Sequence, residues 1–229
     1  MAIYHATMKS FSRGNGDSSV AAAAYRAGFD LLDMSTGLGH NYSHRGGVDF
    51  HQMLAPKGAP EWCFDAQYFW NANEAAETSK NARVCREVEV SLPHQLDPHQ
   101  RRLLALALAQ LLVNRFKVAV LVAVHTPSKY GDQRNHHVHL LMSARQVGPG
   151  GLGERACAEF DARRGGGDPP LITVPFESRE FDLLRRLGIR LGPAISGEFL
   201  RGFPCQCIVG SLLVIEAPPR FDFAPRVGQ

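Results

Sequence analysis

Two apolar segments joined by a polar loop most constrain the fold of this chain. Residues 117–125 form a β-branched apolar run, and residues 136–144 alternate as a second strand. The segment between them, TPSKYGDQRN, is polar and contains turn-forming residues. We therefore predict a hairpin at the centre of an antiparallel sheet.

The remaining segments predict further strands and helices around this hairpin. Residues 34–60 are rich in Gly, Ser, His and Pro, which predicts a long excursion or a short hairpin rather than core elements. The order of elements favours an α+β fold, a mainly antiparallel sheet with helices packed on one face. Strands are predicted at residues 2–9 and 84–92, and helices from residue 18 or 19, over residues 65–83, and over residues 98–116 behind the N-cap Asp97.

The composition of the chain changes near residue 163. Residues 1–163 are expected to form one domain, and residues 164–229 a divergent Pro/Gly-rich tail in which only residues 181–187 are typical of a helix. A truncated or frame-altered gene would produce such a tail. We expect an appendage rather than a second domain.

Composition excludes several classes of protein. Charged residues make up 21% of the chain, and no apolar run reaches the roughly 20 residues of a membrane-spanning helix. The N-terminus lacks a secretory signal, so we expect a cytoplasmic protein with no membrane span. Five irregularly spaced cysteines favour reduced thiols over a disulfide framework. With a net charge of only +3, a nucleic acid would have to bind a local basic patch.

The histidines point to a metal site. Side chains alternate along a strand, so His137 and His139 project from the same face. If residues 126–135 join antiparallel neighbours, His125 can lie about 5 Å across the strand pair. Three neutral imidazoles bind a divalent cation and leave positions open for substrate oxygens. The alternative is a solvent-exposed pair on an amphipathic strand, which is commoner for an isolated His-x-His.

Tyr25, in the helix that follows the first strand, is a candidate nucleophile. A phenol has a pKa near 10, so it attacks phosphorus well only where a nearby cation or base helps to remove its proton. The alternative is an aromatic anchor in a helix packed through its alanines. Spacing alone does not decide between these two roles.

The sequence resembles the MobA/MobL relaxases of mobilisable plasmids. The resemblance covers residues 1 to about 145 in the order of the family, and several separated motifs in one order are more specific than any single motif. The matching stretches are MAIYH, SSVAAAAYRAG, TGLGHNYSHRGGV, FWNANEAAE, NARVCREVEVSLP, VHTP and NHHVHLLMS, with a weaker match at GGLGERA.

The resemblance implies the fold of the histidine-hydrophobic-histidine endonucleases and relaxases. It implies that Tyr25 attacks the scissile phosphodiester of single-stranded DNA at a transfer origin, forming a 5′-phosphotyrosyl intermediate, and that the reverse reaction reseals the strand. The implied ligands of Mg²⁺ or Mn²⁺ are His125, His137 and His139. The implied partners are the accessory proteins of a relaxosome and a coupling protein.

Other residues receive weaker expectations. His5, Glu87 and Glu89 could orient the metal ligands through hydrogen bonds, although an alternating solvent face explains each carboxylate equally well. A further group flanks the tyrosine or lies in the excursion, where cations and rings could hold phosphates and unstacked bases, although unpartnered surface charge is an equal alternative. This group comprises Arg13, Arg26, His40, His44 and Arg45.

Two rival functions remain open at this point. The chain could be an inactive DNA-binding remnant of a relaxase, whose altered tail prevents stable folding or origin recognition. It could also be a metal-dependent hydrolase or a replication-initiator nuclease of related fold. A hydrolase would leave no DNA linked to the protein, so the reaction products separate it from a relaxase.

Overall fold

A computed structural model of the protein describes residues 6–157. The predicted tail, residues 164–229, and the candidate His5 lie outside the described residues. The main sheet has six strands, and every strand pair in it is antiparallel. The elements, in chain order, are β1 Ala6–Ser12, α1 Ser19–Ala27, β2 Asp30–Asp33, β3 Leu38–Asn41, β4 Val48–Leu54, α2 Ala66–Ala76, β5 Arg83–Leu92, α3 Pro98–Phe116, β6 Val118–His125, β7 His136–Gly148 and β8 Gly151–Arg155.

The predicted hairpin lies at the centre of the sheet. The strand order is β1-β5-β7-β6-β4, and β8 pairs with the end of β7. Every residue of β6 is buried, because this strand has neighbours on both edges and is covered on both faces. The expected α+β class with a mainly antiparallel sheet is therefore confirmed.

The helices lie on both faces of the sheet, whereas we predicted from the sequence that they would all pack on one face. The long helix α3 packs against Val120, Val122 and Val124 of β6. On the opposite face, α1 and α2 pack in a second core with Leu121 of β6 and Leu141 of β7. Because β6 and β7 are apolar at both alternating sets of positions, each face requires its own cover.

The segment 34–60 was predicted to be a long excursion or a short hairpin without core elements, and the structure agrees with the hairpin in its first part and differs in its second part. Its first part contributes β3, which forms a separate two-stranded sheet with β2. Its second part is β4, which pairs with β6 as an edge strand of the main sheet. An edge strand is only partly buried, so the apolar alternation that marks a strand in sequence is weak in β4.

Several helix and strand boundaries also differ from the predicted ones. The first strand covers Ala6–Ser12 among the described residues, so it continues beyond the predicted end at residue 9, and its predicted start lies outside the described residues. Helix α2 ends at Ala76, before the predicted end at residue 83, because a turn follows and β5 begins at Arg83. The strand predicted at residues 136–144 continues to Gly148 and turns into β8, for which no strand was predicted.

Helix α1 is fixed at both of its ends. The side chain of Ser18 accepts a hydrogen bond from the backbone N–H of Ala21, which caps the N-terminus. Gly28 ends the helix in the left-handed conformation with φ 68°. Tyr25 therefore lies in the last turn of α1. No helix within residues 6–157 combines the length and apolar character needed to cross a membrane.

Candidate metal centre and nucleophile

Three histidines meet at the ends of the two central strands. His125 of β6 is paired directly with His137 of β7, and His139 lies two residues further along the same face. The ring centroids are 5.2 Å apart for His125 and His137, 4.7 Å for His125 and His139, and 5.1 Å for His137 and His139. One potential ligand atom from each ring lies within 4.8 Å of the others. The predicted triad is thus brought together.

Each imidazole is oriented by an oxygen atom of the protein. His125 donates from Nε2 to the backbone carbonyl of Arg26 at 2.6 Å. His137 donates from Nδ1 to the carbonyl of Asn135 at 3.0 Å, and His139 donates from Nδ1 to the carboxylate of Glu87. Because each partner accepts, the engaged nitrogen must carry the proton. The second nitrogen of each neutral ring then retains a lone pair for a metal ion.

The surroundings favour the neutral form of the rings. Burial lowers the pKa of His125 to about 4, although the hydrogen bond to Arg26 opposes this change. Burial also lowers the pKa of His137. An imidazole coordinates a metal only when the coordinating nitrogen is unprotonated. These two rings are therefore ready to bind a cation at neutral pH without first losing a proton.

Glu87 connects the histidines with helix α1. Its side chain is fully buried, and its two oxygens accept a pair of hydrogen bonds from Arg26, each 2.8 Å long. Burial raises the pKa of Glu87, but the bonds from His139 and Arg26 outweigh it and bring that pKa to about 2. The carboxylate thus stays ionised, and it fixes both the ring of His139 and the guanidinium of Arg26.

Glu89 occupies a more peripheral position. It lies opposite His139 in the strand pairing, with its carboxylate oxygen 4.0 Å from Nδ1 of that ring. Its closer partner is the ammonium group of Lys9, at 2.9 Å. Of the two carboxylates expected near the metal ligands, Glu87 therefore has the direct hydrogen bond to a histidine.

Tyr25 directly precedes Arg26, the residue that links α1 to the histidines. Its side chain is 40% exposed. The next residue, Arg26, holds His125 with its backbone carbonyl and Glu87 with its side chain. Two contacts from one residue fix the last turn of α1 against the histidine cluster. The phenol of Tyr25 is consequently held on the same side of the sheet as the three imidazoles.

The cations expected to hold DNA have different surroundings. Arg13 lies near the N-terminal end of α1, away from Tyr25, where it pairs with the buried carboxylate of Glu74. Glu74 in turn accepts a bond from the backbone N–H of Ser19. Arg26 is committed to Glu87. Both arginines thus have structural partners that the sequence did not indicate, since those partners lie about 60 residues away along the chain.

The remaining candidates lie in the segment that follows α1. His40 is half-buried in β3, and His44 is exposed between β3 and β4. Arg45 lies over the ring of Tyr25, with its Cζ atom 3.5 Å from the ring centroid. Tyr42, which was not among the predicted site residues, contacts the same ring edge-on, with 5.3 Å between the centroids. Its sequence signals are its position within the excursion and within the family-like stretch TGLGHNYSHRGGV.

Comparison with known proteins shows which family the chain is similar to. The sequence profile of the MobA/MobL family matches residues 17–170, which is more than half of the chain. Mobilization protein MobL of Acidithiobacillus ferridurans is 40% identical over 182 residues, which cover 70% of this chain and 47% of that protein. The probable mobilization protein MobA of Bifidobacterium longum (strain NCC 2705) is 31% identical over 149 residues, covering 65% and 26% of the respective chains.

A solved structure shares the fold. It is described as "Molecular Basis of Vancomycin Resistance Transfer in Staphylococcus aureus", and it superposes with a TM-score of 0.60 at 24% sequence identity. The match covers 81% of this chain and 89% of the other. The chain spans about half the length of the first relative and about a quarter of the second. Because the family profile matches more than half of the chain, the chain belongs to the MobA/MobL family.

Proposed function

We propose that this chain cuts and rejoins one DNA strand at the transfer origin of a mobilisable plasmid, with Tyr25 as the nucleophile. The observation that carries the proposal is the contact between Arg26 and His125. It ties the helix turn that bears the tyrosine to three clustered imidazoles. Two of the relatives described above are named mobilization proteins, which agrees with action on a plasmid.

The histidine cluster fits a divalent cation. Three neutral rings offer nitrogen lone pairs from one side, so the remaining coordination positions are available to phosphate oxygens. We propose Mg²⁺ or Mn²⁺ as the ion, held by His125, His137 and His139. Such an ion, when bound, polarises the scissile phosphate and offsets the negative charge that develops on it. Glu87 keeps the ring of His139 in the orientation and tautomer that coordination requires.

The proposed reaction is a transesterification. The phenolic oxygen of Tyr25 forms a bond to phosphorus while the bond from phosphorus to the 3′ oxygen breaks. The phenol loses a proton and the 3′ oxygen gains one, so the products are a 5′-phosphotyrosyl link and a free 3′-hydroxyl. The number of phosphoester bonds is conserved, and the 3′-hydroxyl can therefore attack the link and reseal the strand.

The proposed partners follow from this activity. The substrate is single-stranded DNA, and the assembly is a relaxosome with accessory proteins and a coupling protein. His44 is exposed and Arg45 is half-buried next to it, and we propose that both contact the DNA backbone. We also propose that residues 1–163 form the nicking domain and that residues 164–229 are an appendage to it.

The test is formation of a covalent protein–DNA adduct. Labelled single-stranded DNA from the transfer-origin region of the plasmid that carries the gene is incubated with the protein and Mn²⁺, then analysed on a denaturing gel. We expect a labelled band at the mobility of the protein. The Tyr25→Phe variant should give no adduct and should bind the same DNA within about threefold of the unaltered affinity, because only the attacking oxygen is removed.

Two controls make the result decisive. Tyr68→Phe removes an exposed phenol from α2 and should leave adduct formation unchanged. An active relative with its own origin shows that the conditions support cleavage. Cleaved DNA without an adduct would indicate a hydrolase. Metal and DNA binding without cleavage would indicate the inactive remnant, and an adduct that persists in Tyr25→Phe would contradict the choice of nucleophile.

A further inference from the structure

The ring of Tyr25 is held by side chains outside the histidine cluster. The guanidinium of Arg45 lies over one face of the ring, and its Nη1 donates a hydrogen bond to the backbone carbonyl of Tyr25 at 3.2 Å. That carbonyl belongs to the last turn of α1, where helix carbonyls lack partners within the helix. Arg45 thus contacts both the side chain and the main chain of the same residue.

The segment that carries Arg45 is attached to the fold at both ends. At its start, the backbone N–H of Tyr42 donates to the carbonyl of Phe29 at 2.9 Å. At its end, the carbonyl of Gly47 accepts from the backbone N–H of Thr126, directly after His125, at 2.8 Å. The Tyr42 ring adds an edge-on contact to Tyr25. The segment therefore bridges the end of α1 and the end of β6.

The backbone at Gly28 permits this approach. Gly28 has φ 68°, and a Cβ atom at this position would lie 3.5 Å from the carbonyl oxygen of Tyr42. A residue with a side chain would be strained there by its backbone conformation. The distance itself is an ordinary van der Waals contact, so glycine is favoured here by the left-handed backbone with which the chain leaves α1.

We propose that Arg45 is a positioning residue for Tyr25, in addition to any contact that it makes with DNA. The planar guanidinium stacks on the ring and, through its bond to the main chain, fixes the ring relative to the end of α1. Tyr42 limits movement of the ring from a second side. This proposal rests on the proposed function, since it treats Tyr25 as the nucleophile.

Orientation of a nucleophile affects the rate more than it affects binding. A displacement of about 1 Å at a reacting group can lower the rate about 100-fold. We therefore expect Arg45→Ala to lower the rate of adduct formation at saturating DNA by about 10- to 100-fold, with DNA affinity changed less than threefold. Arg45→Lys keeps the charge but loses the planar group that stacks and donates in a fixed geometry, so it should not restore the rate.

The first measurement requires no DNA. The full-length protein is labelled with 3-fluorotyrosine, and the Tyr25 signal in the ¹⁹F NMR spectrum is assigned by its loss in Tyr25→Phe. We expect Arg45→Ala to shift this signal, because it removes the guanidinium nearer to the ring, at 3.5 Å, while that of Arg26 remains at 5.0 Å. The matched control is Arg115→Ala, an exposed arginine of α3 on the opposite face of the sheet, which should leave the signal in place.

The second measurement follows single-turnover adduct formation, together with DNA binding in EDTA. A shifted NMR signal, a lower rate at saturation, near-normal affinity and no rescue by lysine would support the proposal. An unshifted signal would overturn it, and so would a loss of affinity that lysine restores, since that pattern indicates a phosphate contact. If the unaltered protein forms no adduct, the proposed function fails, while the NMR result still decides whether Arg45 holds the ring.

Discussion

The imidazoles of His125, His137 and His139 form a site built from nitrogen donors. Imidazole is a much better ligand for Mn²⁺ than for Mg²⁺, which prefers oxygen and gives up its hydration water reluctantly. We therefore expect Mn²⁺ to bind at least about tenfold more tightly than Mg²⁺. Electron paramagnetic resonance of free Mn²⁺, with Mg²⁺ as competitor, measures both affinities. Equal affinities would indicate that oxygen ligands dominate the site.

Glu87 should influence metal binding without contacting the metal. Glu87→Gln removes the negative charge from the group that accepts the hydrogen bond of His139, so we expect metal affinity to fall about 10- to 100-fold. Isothermal titration with Mn²⁺ measures the change. Glu154→Gln alters an exposed carboxylate in β8 and serves as the control. Because Arg26 loses its ion pair in Glu87→Gln, circular dichroism should first verify that the variant is folded.

At the level of single residues, the positions that could be predicted from the sequence are those that depend on strand periodicity. His137 and His139 share a face because they are two residues apart in a strand, and His125 follows from the antiparallel pairing. The partners of the arginines are different, because they depend on how α2 and β5 pack against the start and end of α1. No local pattern connects Arg13 to Glu74 or Arg26 to Glu87.

Among the elements, α3 is defined most completely by its own sequence. The side chain of Asp97 accepts a bond from the backbone N–H of Gln100, and the side chain of Gln100 accepts one from the N–H of Asp97. We expect Asp97→Ala to lower the free energy of unfolding by about 1 kcal/mol. Chemical denaturation monitored by circular dichroism measures this change.

The same variant also tests whether a change on one face of the sheet affects metal binding on the other face. Helix α3 packs on the face opposite to the histidines. Metal affinity should therefore stay unchanged in Asp97→Ala. Asp97→Asn retains a capping oxygen and should keep most of the stability. A large loss of metal affinity in Asp97→Ala would contradict this separation.

Strands at the edge of the sheet were harder to predict than those at its centre. The buried strands β5, β6 and β7 have long apolar or alternating patterns, and their positions follow from sequence. Strand β4 is only partly buried, and β8 is short and held by pairing with β7. Such strands form because a neighbour offers unpaired backbone groups, which the local sequence does not record.

For the whole molecule, acid should destabilise the metal-free fold in two stages. The pKa of His125 is lowered to about 4, so between pH 6.5 and 4 the unfolded chain binds a proton that the folded chain does not. The associated stability is complete above pH 6.5 and is lost as the pH falls toward 4. Glu87 acts in the same direction at lower pH, from about 4.5 to about 2.

Unfolding in urea at a series of pH values, with EDTA present, measures this dependence. The free energy of unfolding should decrease steadily from pH 6.5 to pH 4. In His125→Asn, which has no titratable ring, this decrease should be smaller. An identical pH profile in the variant would contradict the assignment. Saturating Mn²⁺ should stabilise the protein at pH 7 and lose this effect in acid, since protons compete for the ligand nitrogens.

The proposed domain boundary is tested by shortening the chain. Within residues 6–157 the structure describes a six-stranded sheet with a hydrophobic core on each face. We therefore expect a fragment of residues 1–163 to fold cooperatively and to bind Mn²⁺ within about threefold of the full chain. Thermal unfolding and isothermal titration provide the measurements. A fragment that aggregates or fails to bind would show that residues beyond 163 are part of the domain.

The side chains of β7 alternate strictly between the two faces of the sheet. This alternation limits where related proteins can gain or lose a residue. Inserting or deleting one residue between His137 and Leu141 would turn every later side chain to the other face, exchanging histidine-side positions with those that pack on α3. The loop of residues 126–135 carries no such constraint, because it lies outside the strand pairing. Length variation should therefore accumulate in that loop, whereas the spacing of His137 and His139 should stay fixed even where the residues around them are replaced.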